Sequence, residues 1–90
     1  MTTKKDPLQV ALDKVRENRF SDSARYLTDI VLSLALGGRH RAVDLSEITL
    51  LDEHGRLLVF DLLTAKAKGT YHDDAWKEMA DKILNATKGA

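Results

Sequence analysis

The chain has no cysteine, a single proline, one tryptophan, two tyrosines and two phenylalanines, and no excess of either charge: Lys plus Arg and Asp plus Glu stand at 14 each in 90 residues. Without cysteine there is no disulfide staple, no thiolate nucleophile and no Cys-ligated zinc site, and a reducing cytoplasm is the expected location. Without net charge no field draws the whole molecule to nucleic acid or an anionic membrane, so binding of either kind would need a local patch. The longest nearly apolar run, Ile30 to Leu36 with Ser33 inside it, falls far short of the ~20 residues that cross a bilayer. The start of the chain, Met1 to Asp6, carries Lys4 and Lys5 but no apolar stretch or small-residue cleavage site, so no secretory signal is expected.

What is present is the balance of a globular protein, 43% apolar and 31% charged, outside the low-hydrophobicity regime of disorder. A chain this short supports one core and buries roughly 60–65% of its unfolded surface. One domain is therefore expected over residues 6–87, with a disordered tail at 1–5 and a frayed end at 88–90.

The lone proline is well placed. Asp6 can accept orphan backbone N–H groups, and Pro7 at the first helical position gives up a donor that has no partner there anyway. Leu8, Ala11, Leu12 and Val15 then recur at helical spacing, and Asn18 and Arg19 end the segment. A second helix is announced by Ser21, Asp22 or Ser23 and carried by Ala24, Leu27, Ile30, Val31 and Leu34; it closes at Gly37 and Gly38. Tyr26, Leu32, Ala35 and Leu36 widen its apolar surface beyond one stripe. Such a helix is either enclosed in its own core or partly committed to another subunit, which makes Tyr26, Leu32 and Leu36 candidate interface residues.

After the loop Arg39, His40, Arg41 comes a capping-box pattern, Asp44 with Glu47, and a staple pair, Val43 and Ile48. These predict a short helix stopping near Leu51. Asp52 can then cap a fourth helix running to about Lys68 and ending at Gly69. The last helix starts at Asp73 or Asp74 and bears Trp76, Met79, Ala80, Ile83 and Leu84, with Glu78 and Lys82 paired on its outer face. The expected fold class is all-α, a compact bundle of four to five short helices with the second and fourth central. The alternative is α+β with a hairpin at 47–60, because Asp52 and Gly55 suit a type I turn and Ile48, Thr49, Val59 and Phe60 suit strands. Against it, Leu57, Leu58, Val59 and Phe60 are consecutive rather than alternating, and a lone hairpin is marginal without further strands.

Chemistry is hard to find. His40, His54 and His72 stand in separate loops or helix ends with no second histidine at ligand spacing, so no metal site is expected. Asp52, Glu53 and His54 bring carboxylates beside a proton carrier, and His72 precedes Asp73 and Asp74, but helix capping and dipole compensation account for both clusters. There is no nucleophile elbow, phosphate-cradling loop or dinucleotide fingerprint. No catalytic residue, cofactor or enzymatic activity is expected. Arg39, His40 and Arg41 form the one concentrated basic feature, a candidate contact for phosphate or nucleic acid that also suits a solvated loop after a helix C-terminus. The aromatic residues Phe20, Tyr26, Phe60, Tyr71 and Trp76 are scattered one per element and are expected at the core or its edge.

From Ser23 to Leu84 the order of features, VLSLALGG, then VDLSEITLLD, then LLVFDLL and a final amphipathic helix, resembles a family of small uncharacterised bacterial proteins carried on plasmids, phages and integrated elements. The resemblance implies an all-helical accessory protein of a mobile element, with no activity, cofactor or site residues attached. The expected role is protein interaction or self-association. A small nucleic-acid-binding regulator using the Arg39, His40, Arg41 loop is the alternative.

Overall fold

Side-chain oxygens set where the helices begin. The computed structural model describes residues 6–18, 20–37 and 43–87, so the expected tail at 1–5 and frayed end at 88–90 lie outside the described residues. Among those described run α1 (Pro7–Glu17), α2 (Asp22–Leu36), a 3-10 segment (Leu45–Leu50), α3 (Glu53–Lys68) and α4 (Asp73–Thr87), with no strand. Asp6 accepts from the Leu8 N–H at 3.0 Å with Pro7 next in line, and Ser21 accepts from the Ala24 N–H at 3.1 Å. Asp52 accepts from the Gly55 N–H at 2.8 Å. Each cap satisfies a donor that the helix itself leaves unpaired. At the other ends, Gly37 and Gly69 adopt φ of 60° and 68° after α2 and α3, backbone that a side chain would strain.

The fold class is the all-α one, and the hairpin alternative at 47–60 gives way to the end of the 3-10 segment and the first half of α3. The Asp52 cap and the inward run Gly55, Leu58, Val59, Leu62, Ala65 favour a helix there, since burial at i, i+3, i+4 and i+7 needs helical spacing. The short helix before it winds as 3-10 rather than α, with the Glu47 N–H on the Asp44 carbonyl at 3.1 Å and the Leu51 N–H on the Ile48 carbonyl at 3.1 Å. Asp44 binds Ser46, through its N–H at 3.0 Å and its hydroxyl at 2.7 Å, in place of the expected exchange with Glu47. These bonds hold the Asp44 carboxyl below its ordinary pKa. Asp73 and Asp74 lie inside the first turn of α4 rather than ahead of it, where their charge offsets the helix dipole; the His72 carbonyl receives the N–H groups of Ala75 and Trp76.

The core is drawn from every helix, with Leu12 and Val15, Tyr26 and Val31, Leu62, and Trp76 and Ile83 among its most enclosed side chains. α2 is touched by α1, α3, α4 and the 3-10 segment, and its closest packing is with α4. The second helix is thus central as expected, whereas the segment from Asp52 to Lys68 sits to one side on α1 and α2, and α4 takes the place expected for it. Thr28, buried in α2, donates its hydroxyl to the Ala24 carbonyl at 2.9 Å and so enters the core satisfied. The Tyr26 hydroxyl finds no hydrogen-bond partner among the described residues. Its pKa is raised by burial and then by the charges of Glu47 and Asp44.

Trp76, 1% exposed, is closed over by two neighbours. Tyr71 meets it edge-on, ring centres 5.7 Å apart and planes at 88°, and Lys66 places its Nζ 5.3 Å from the ring centre, both arrangements that suit the charge distribution of the indole. The Tyr71 hydroxyl in turn donates to the Asp6 carboxylate, 65 residues away in sequence. One carboxylate thereby starts α1 and ties it to the connection between α3 and α4.

Burial, the hydrogen bond to Asp6 and the Asp6 charge push the Tyr71 phenol from 10.0 up to about 12. A folded-state pKa above the unfolded one gives stability that is complete below about pH 10 and lost as pH rises through about 12. Denaturant titrations across that window should show stability falling, with a shallower fall in Tyr71→Phe. Tyr26→Phe removes an unpaired buried hydroxyl and should leave stability unchanged or raise it by up to about 1 kcal/mol in urea denaturation at neutral pH.

Candidate interaction surface

The run Leu57-Leu58-Val59-Phe60-Asp61-Leu62-Leu63 cannot all be buried by a helix lying on the side of a bundle. Consecutive positions differ by about 100° around the axis, so turning Leu58, Val59 and Leu62 inward turns Leu57, Phe60 and Leu63 outward. They are 54%, 56% and 44% exposed. Thr64 and Ala67, also exposed, continue that face toward the end of α3. Exposed charges border it, Glu53 and Arg56 at the start, Asp61 midway and Lys68 at the end. Arg56 is held by its own backbone, donating from Nη1 to the Leu51 carbonyl at 3.0 Å. Several large apolar side chains in a row on one helix face, rimmed by charge, are uncommon on the surface of a small monomer, which makes this face the candidate contact site.

The residues expected to form an interface lie elsewhere. Tyr26 and Leu32 are interior, 2% and 5% exposed, and Leu36 is half-buried. The surplus apolar surface of α2 is used within the chain, because four other elements pack around that helix. Phe20 and Phe60 depart from their expected place at the core or its edge: Phe20 stands in the connection between α1 and α2 at 79% exposure, and Phe60 is 56% exposed on the outer side of α3. Arg39, His40 and Arg41 lie outside the described residues. Leu57, Phe60 and Leu63 were not expected as a site, although the apolar run that holds them, broken only by Asp61, is plain in the sequence.

Elsewhere the titratable groups serve local structure. The Asp52 carboxyl is held below its ordinary pKa chiefly by the Gly55 N–H, and Glu53 and His54 beside it are exposed. Gly55 fits closely there: a Cβ at this position would lie 3.1 Å from the Leu51 Cβ and 3.3 Å from the Asp52 Oδ1, so a side chain would ask those neighbours to shift slightly. A cleft of about 290 Å³ opens where the end of α1 meets the starts of α2 and α3, with Lys14, Asn18, Ser23 and Asp52 in its wall. Among the described residues no three His, Asp or Glu side chains converge as a metal ion would require. No described helix is long and apolar enough to cross a membrane. No family model, curated protein or solved structure matches the chain.

The two sides of α3 should respond oppositely to mutation. Leu62→Ala, at a fully buried position, is expected to cost about 2–5 kcal/mol. Phe60→Ser should change the stability of the monomer by no more than about 0.5 kcal/mol. Urea denaturation of both variants at low protein concentration checks the orientation of the helix.

Proposed function

We propose that this chain is a non-enzymatic accessory protein that works by docking a protein surface onto the outer face of α3. The observation that carries the reading is the exposure of Leu57, Phe60 and Leu63 on a helix whose opposite side is fully engaged. Fully burying a Leu or Phe side chain is worth about 1.5–3 kcal/mol, so covering three half-exposed ones supplies a few kcal/mol, within the range of a regulated contact. The arrangement has the anatomy of an interface, an aromatic anchor between aliphatic neighbours inside a charged rim. Its spacing suits a helical partner. The cysteine-free composition supports a cytoplasmic setting, and the resemblance to proteins of plasmids, phages and integrated elements supports an accessory role on such an element.

Site-specific photo-crosslinking in the cell of origin tests this. A photoreactive residue at position 60 should give discrete adducts that are lost when Leu57 and Leu63 are changed to Ser. The same residue at position 77, an exposed site on α4, should give none. Equal labelling from positions 60 and 77 would remove the proposal.

A further inference from the structure

Taking the outer face of α3 as the contact, we propose that its occupant is a second copy of this chain, with the two α3 helices packed antiparallel about a two-fold axis near Phe60 and Asp61. The inference rests on the reading under Proposed function and adds the identity of the partner. The first observation is a groove of about 190 Å³ beside the apolar stripe, lined by Asp61, Thr64, Ala65 and Lys68 of α3, with Pro7 and Tyr71 in its outer wall. Those four α3 positions stand at i, i+3, i+4 and i+7, the set that forms a hole for one side chain of a facing helix. Leu57 lies on the same face nearer the helix start and is 54% exposed. An antiparallel copy centred near Phe60 sets each Leu57 opposite Thr64 of the other copy, so each fills the other's groove and the two Phe60 rings meet near the axis.

Charge supplies the second observation. α3 begins with Glu53 in its first turn and ends with Lys66 and Lys68 in its last. Antiparallel packing brings Glu53 against Lys68 of the other copy at both ends and runs the two helix dipoles in opposite directions, whereas parallel packing would set Glu53 on Glu53 and Lys68 on Lys68. The chain as a whole has no net charge, so no general repulsion opposes pairing. One local term does: the two Asp61 carboxylates flank the axis, and Asp61→Asn should tighten the dimer. The patch is one helix wide and smaller than the ~800 Å² per partner of a standard stable interface. The expected dimer is weak and concentration-dependent.

Sedimentation equilibrium of the full chain from about 1 μM to about 1 mM should show reversible monomer–dimer exchange. Phe60→Glu should weaken it about 30-fold or more, with helix content by circular dichroism unchanged. Glu53→Lys and Lys68→Glu should each weaken it about fivefold, and the double variant, which restores opposite charges only in the antiparallel arrangement, should recover wild-type affinity. A strict monomer at about 1 mM, a dimer indifferent to Phe60→Glu, or a double variant no better than the singles would each overturn the proposal. A strict monomer that still crosslinks from position 60 to a protein of different mass overturns only the self-pairing and leaves the interaction reading standing. Loss of both removes the two together.

Discussion

A helix that is apolar around most of its circumference has to be enclosed, and the enclosure of α2 governs where everything else in this small protein goes. Tyr26, Leu27, Ile30, Val31 and Leu32 cannot all face one neighbour, so α1, α3, α4 and the 3-10 segment each cover part of that helix. With α1, α4 and the 3-10 segment drawn to α2, none of the described elements covers the outside of α3. α3 is then left with one engaged side and one open side, although its sequence is apolar on both. The exposed apolar face of α3 is the remainder of a packing problem that α2 dominates.

The parts of the fold visible in the sequence are those set by chemistry within a few residues. Asp6 with Pro7, Ser21, Asp52 and the positive-φ glycines after α2 and α3 each act on their own backbone, so their meaning does not depend on the tertiary structure. The 3-10 winding after Asp44 was less legible. A segment that buries no residue outright has no packed face to hold it to α geometry, and the Asp44 carboxylate is taken up by Ser46.

What the sequence concealed is direction. In α1 and α4 the apolar residues mark one side, and that side is buried as expected except for Leu84 near the end of α4, which is exposed. In α2 and α3 apolar residues occupy consecutive positions, and a run broken by only one polar residue, Ser33 or Asp61, carries too little phase to say which side turns inward. The sequence therefore leaves open whether Tyr26 and Leu32 face the core or a partner, and sets Phe60 at the core or its edge; the packing encloses Tyr26 and Leu32 and turns Phe60 outward. Which helix lies beside which is likewise a long-range outcome. Trp76 and its cover, Tyr71 and Lys66, make α4 a closer companion of the core than the longer α3.

The carboxylate of Asp6 belongs at once to a local event and a distant one. It caps the first turn of α1 and receives the hydroxyl of Tyr71, the residue whose ring shields Trp76. Fraying at the start of α1 therefore draws on the same atom that fastens the lid over the indole. Loss of that carboxylate would release both the first turn of α1 and the ring that covers Trp76, so one side chain at the start of the chain's first helix guards its largest buried ring.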